Sequence, residues 1–129
     1  MTQTINRSKT KESVALRAFF KIGEQWELTT KQQMKLLGMT NESTFYSYKN
    51  APESARIDQD KLERISYILG IYKDLRTLLS NEDSVRTWIK KPNNAELFGG
   101  KSALDYLTKE GRMLDLYTVR QYLAANRGV

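Results

Sequence analysis

Asn41, Ser43, Thr44, Ser47 and Lys49 lie close together in the N-terminal half of this chain. Short polar side chains and a lysine are the types that meet base edges and phosphates when a helix lies in the major groove of DNA. Thr30 and Lys31 precede them, at what the pattern makes the start of a helix. Backbone N–H groups and the helix dipole favour a phosphate there. A second cluster, Phe98-Gly-Gly-Lys-Ser102, looks at first like a phosphate-cradling loop. That motif needs a glycine where Ala95 stands, and no strand pattern precedes it. The two glycines read instead as a tight corner before a capped helix. Near the chain end stand Tyr117, Arg120, Tyr122 and Arg127. Aromatics and arginines dominate contact energies when a partner buries them.

Other chemistry is removed by composition. The 129 residues contain no histidine and no cysteine. Thiol nucleophiles, disulfides, Cys/His zinc sites and Ser–His–Asp arrangements are therefore excluded. The 15 carboxylates form no pair that spacing alone marks as acid and base. No catalytic residue, metal site or cofactor is expected. The net charge is +6, and the basic excess is largest in the N-terminal half. A moderate excess suits an anionic partner without requiring one.

These residues need helices to hold them. The two prolines, Pro52 and Pro92, fall between periodic segments, and no convincing strand pattern occurs. Ala15, Phe19, Ile22 and Trp26 mark a first helix over about Lys11 to Gln25. Thr29 with Gln32 forms a capping box for a second helix, which Gly38 stops. Thr40 or Asn41 caps a third, about Glu42 to Lys49, with Met39, Phe45 and Tyr48 locking it in place. Helix, tight turn and helix in this order make a helix-turn-helix. A long helix follows from Asp58 or Asp60, with Leu62, Ile65, Ile68, Leu69, Tyr72, Leu75 and Leu79 along one face. Ser80-Asn81 breaks it. Short helices over about Glu82 to Ile89 and Ser102 to Lys109 precede a last one, Leu114 to Asn126. The expected class is all-α. No segment is apolar for long enough to span a bilayer, and the polar start has no signal-peptide core, so a cytoplasmic protein is expected.

The C-terminal pattern resembles a known family. Trp88-Ile-Lys-Lys-Pro-Asn93, Leu97-Phe-Gly-Gly-Lys-Ser102, Leu104, Leu107, Gly111 and Leu116-Tyr-Thr-Val-Arg-Gln-Tyr-Leu123 through Arg127-Gly128 are similar to the toxin-binding domain of Xre/MbcA/ParS-type antitoxins. The helix-turn-helix before it resembles the Xre-like domain of the same family. Many members carry proline where this chain has Ala103. The polar, basic start reads as a flexible arm over residues 1–12, and the resemblance implies a helix-turn-helix domain over 13–80 and a toxin-binding domain over 81–129. It implies a RES-domain, NAD-degrading toxin as partner, its active site covered by the C-terminal domain. Lys101, Tyr117, Arg120, Arg127, Gly128 and Val129 are the expected toxin contacts. It also implies operator DNA as a second partner, and a homodimer or a larger assembly with toxin. The alternative is a stand-alone transcriptional regulator whose C-terminal region dimerises it.

Overall fold

The computed structural model describes residues 10–127, without the side chain of Arg127. Seven α-helices run through them: α1 Lys11–Gln25, α2 Thr30–Leu37, α3 Glu42–Asn50, α4 Gln59–Leu78, α5 Glu82–Thr87, α6 Ala103–Glu110 and α7 Met113–Arg127. Single 3₁₀ turns follow α3 (Pro52–Ser54) and α5 (Trp88–Lys90). Among the described residues there is no strand, only one antiparallel bridge between Pro92 and Ser102. The expected residues 1–9 of the arm, and Gly128 and Val129, lie outside the described residues.

Side-chain caps set most helix starts. Thr10, Asn41, Asp58 and Asn81 each accept from a backbone N–H three residues on, opening α1, α3, α4 and α5. Thr29 with Gln32, and Ser102 with Asp105, form complete capping boxes at α2 and α6. Each satisfies donors that the first helical turn leaves without partners. Gly38 ends α2 at φ 70°. This left-handed conformation suits glycine, and a Cβ there would sit 2.7 Å from Arg64 Cζ.

Helix α4 is the centre of the molecule. Helix α1 covers one side of it and α7 another, and these are its two most extensive contacts. Ile65, Ile68 and Leu75 are buried, as the spacing predicts, while Leu62, Leu69, Tyr72 and Leu79 pack at the edge of the core. Gly70, Ile71 and Asp74 are buried as well. One apolar stripe predicts burial against one neighbour, and α4 has two. The core is continuous from Leu16 and Phe19 in α1, through Leu36, Leu37 and Phe45, to Leu107, Leu116, Val119 and Leu123. After α5 the chain tightens into the 3₁₀ turn at Trp88, so the expected helix to Ile89 changes type at its end.

Arg64 and Lys90 bond across between the N-terminal and the C-terminal helices. Arg64 NH1 donates to the carbonyls of Leu36, at 3.3 Å, and Gly111, at 2.8 Å. Lys90 Nζ donates to the carbonyl of Glu27 at 2.7 Å. The Arg64 contacts place one cation against the C-terminal ends of α2 and α6, where helix dipoles favour positive charge.

Candidate functional site

The α2–turn–α3 unit presents the residues expected to touch DNA. Phe45 is wholly buried and Met39 nearly so, which fixes α3 against the core, and Tyr48 is half-buried with its hydroxyl donating to the Arg56 carbonyl. Asn41, Ser43, Thr44, Ser47 and Lys49 are all exposed. The Oδ1 of Asn41 accepts from the Thr44 N–H at 2.9 Å, so part of this side chain is spent on capping α3. Lys31 is exposed and Thr30 half-buried at the start of α2. Lys49 shares a groove with Arg17 and Lys21 of α1, and Arg17 is itself paired with Glu53 at 2.7 Å.

Tyr46 was not among the expected contacts. It is 40% exposed, packs edge-on against Phe45, and shares a hydroxyl hydrogen bond with Thr30 at 3.1 Å. The bond joins α3 to the first turn of α2. Its sequence signal was weak, because Phe45 and Tyr48 already account for the apolar side of the helix.

At the other end, the Gly99-Gly100 corner is stitched by Asn93. The Asn93 N–H donates to the Lys101 carbonyl at 3.0 Å, and the Gly100 N–H donates to the Asn93 carbonyl at 2.8 Å. Phe98 is buried beneath the corner, edge-on to Trp88, Tyr106 and Tyr122. Lys101 stands exposed on top.

Helix α7 places the remaining residues. Tyr117 is exposed and meets Tyr67 of α4 edge-on at 5.9 Å. Arg120 was expected to face a partner, but its Nε donates to Asp74 Oδ2 at 2.8 Å. The Asp74 side chain is wholly buried, and about a third of the Arg120 side chain is exposed. The reason is geometric: Arg120 is turned toward α4, where Gly70 leaves room for its guanidinium. Tyr122, on another side of α7, packs on Phe98 instead. No hydrogen bond, ion pair or ring contact among the described residues joins Lys101 to Tyr117 or Arg120. The Arg127 side chain, Gly128 and Val129 lie outside the described residues.

Near the start of α7, Arg112 pairs with the buried Asp115 at 2.8 Å. The hydrogen bond to Asp115, and then its negative charge, raise the guanidinium pKa above its ordinary value. Among the described residues there is no group of His, Cys, Asp or Glu that could hold a metal ion. No described helix is long and apolar enough to cross a membrane.

Residues 7–70 match the model of the antitoxin Xre-like helix-turn-helix domain. Residues 74–128 match that of the antitoxin Xre/MbcA/ParS C-terminal toxin-binding domain. The chain belongs to the Xre/MbcA/ParS antitoxin family. A relative of this antitoxin, "Uncharacterized protein y4oB" of Sinorhizobium fredii (strain NBRC 101917 / NGR234), is 45% identical over 113 residues, which are 88% of this chain and 84% of the relative. No solved structure matches the antitoxin at a significant level. The two matched segments meet inside α4, so the antitoxin's DNA-binding and toxin-binding domains share one helix.

Proposed function

We propose that this antitoxin neutralises a RES-domain toxin that degrades NAD, by covering its active site, and represses its own operator through α2 and α3. The observation that carries the reading is the order of the two matched domains, a helix-turn-helix followed by a toxin-binding domain, over nearly the whole chain. The exposed polar face of α3 and the +6 net charge support the DNA half. It acts by binding, without catalysis, in the cytoplasm, as a homodimer or in a larger assembly with toxin. Lys101, Tyr117, Arg127, Gly128 and Val129 face the toxin. Arg120 contributes mainly by holding α7 on α4.

The test is co-expression with the protein encoded by the neighbouring gene, which this reading takes to be the RES-domain toxin. Expression of that protein alone should arrest growth and deplete NAD, and the antitoxin should prevent both. Deleting residues 127–129 should leave a folded protein that still shifts its promoter yet no longer protects. Unchanged NAD, or no protection by the full chain, would refute the toxin assignment. Full protection by the shortened chain would move inhibition to another surface.

A further inference from the structure

Helix α7 carries an outer face with no charge on it. Leu114, Tyr117, Gln121 and Ala125 are exposed in succession along about three turns. The charged side chains described on this helix point elsewhere: Asp115 is buried and pairs with the exposed Arg112 just before the helix, and Arg120 is paired with Asp74. In a chain that is 28% charged, a surface helix normally turns its charges to solvent. Here it shows Leu114 at 58% exposure and Tyr117 at 44%. They are two of the four large apolar side chains exposed among the described residues, and they lie one turn apart.

Burying this face would cost little. The Thr118 hydroxyl already donates to the Leu114 carbonyl at 2.7 Å. Gln121 Nε2 donates to the Tyr117 hydroxyl at 3.1 Å. Polar groups bonded within their own helix lose less on leaving water. Tyr67 of α4 braces Tyr117 from the side, so the ring is held before any partner arrives.

We infer that the toxin grips this antitoxin chiefly by the uncharged outer face of α7, with Leu114 and Tyr117 as anchors. The inference rests on the antitoxin reading above. It commits to the toxin as occupant because this face belongs to the segment that matches a toxin-binding domain. Depleted charge around an aromatic and an aliphatic anchor is what the centre of a protein interface shows. The complement on the toxin is an apolar groove that takes a helix by residues i, i+3 and i+7. It follows that the two partners are held by different physics. DNA binding weakens steeply with salt, whereas toxin binding through an uncharged face does not.

The experiment measures the affinity of the full-length antitoxin for the purified product of the neighbouring gene, on this reading the RES-domain toxin, and the antitoxin's self-association by light scattering. Leu114→Glu should lower toxin affinity by about a hundredfold, and Leu114→Ala by about tenfold, while the promoter shift and helical circular dichroism stay unchanged. Raising salt from low to high concentration should change wild-type toxin affinity by less than about threefold. If the wild type binds the toxin and Leu114→Glu binds equally well, the inference is overturned. If Leu114→Glu abolishes self-association but spares toxin binding, the face belongs to a second copy and the inference is again overturned. A wild type that fails to bind the RES-domain protein would sink the antitoxin reading itself, and this inference with it.

Discussion

Arg120 and Asp74 join α7 to α4 through a 2.8 Å hydrogen-bonded ion pair whose carboxylate is wholly buried. Removing one partner of a buried ion pair costs about 3–5 kcal/mol when both are buried. Because Arg120 is partly exposed, Arg120→Ala should cost somewhat less, about 2–3 kcal/mol. Replacing both residues with apolar ones should recover part of the loss. Gly70→Ala should mimic Arg120→Ala, since its Cβ would lie 1.8 Å from Arg120 NH1. Urea unfolding of the three variants checks this, and wild-type stability in Gly70→Ala would contradict the close approach.

Arg64 bonds to the Leu36 and Gly111 carbonyls and pairs with Asp60 at 3.0 Å. Arg64→Ala should therefore destabilise the protein by about 2 kcal/mol, the scale of hydrogen bonds to a charged group. Arg64→Lys keeps the charge but not the fork, and should recover less than half. Thermal unfolding of both variants decides the matter. A lysine variant as stable as the wild type would show that charge alone suffices.

On DNA, Lys31→Ala and Lys49→Ala should each weaken promoter binding and reduce the salt slope by about one. Ser43 and Ser47 substitutions should change which sequence is preferred. Tyr46→Phe, which removes the bond to Thr30, should weaken binding without changing preference. Half-sites should repeat about 10 bp apart if two copies bind together. Mobility-shift titrations at several salt concentrations measure all four effects. A uniform loss from Ser43 and Ser47 changes would make them phosphate contacts instead.

Asp58 links stability to pH. Its carboxylate accepts the Lys61 backbone N–H at 3.0 Å, which holds its pKa below the ordinary carboxylate value. A group with a depressed folded-state pKa stabilises the fold above its unfolded value, and loses that contribution as pH falls through the folded one. Acidification should therefore loosen the start of α4, and Asp58→Asn, which still caps, should flatten that part of the profile. Denaturation midpoints across the acid range provide the check. An unchanged acid limb in Asp58→Asn would mean that other carboxylates govern it.

Helix starts and stops were the most legible part of the fold. Thr29, Asn41, Asp58 and Ser102 cap the helices that their side chains announce, because capping depends only on residues three apart. Leu116, Val119 and Leu123, three and four residues apart on α7, are buried in the core. What escaped was set by distant neighbours. Asp74 gave no local hint of burial, since its partner Arg120 comes from α7. Arg120 read as a toxin contact, and its pairing with Asp74 was not legible because that partner stands far back in the chain, in a different helix. Of the proposed DNA surface, residue types and exposure were legible, but the Tyr46–Thr30 bond between two helices was not. The neutral face of α7 was legible only in part. Its composition is plain in the sequence, but which charges turn inward depends on pairing with Asp74 and on the fold around Asp115.

The helix shared by the two domains also governs how the protein can be dismantled. A protease cutting the exposed Ser80–Asn81 link would not release two independent pieces. It would leave α4 with the N-terminal fragment and strip α5, α6 and α7 of the surface on which α7 rests. A cut upstream of α4, in the Pro52–Ser54 connection, would instead uncover the side of α4 that α1 shields. Either nick exposes core side chains and invites further digestion. The molecule should therefore disappear from a digest without stable intermediates, and both of its binding activities should decay on a single time course.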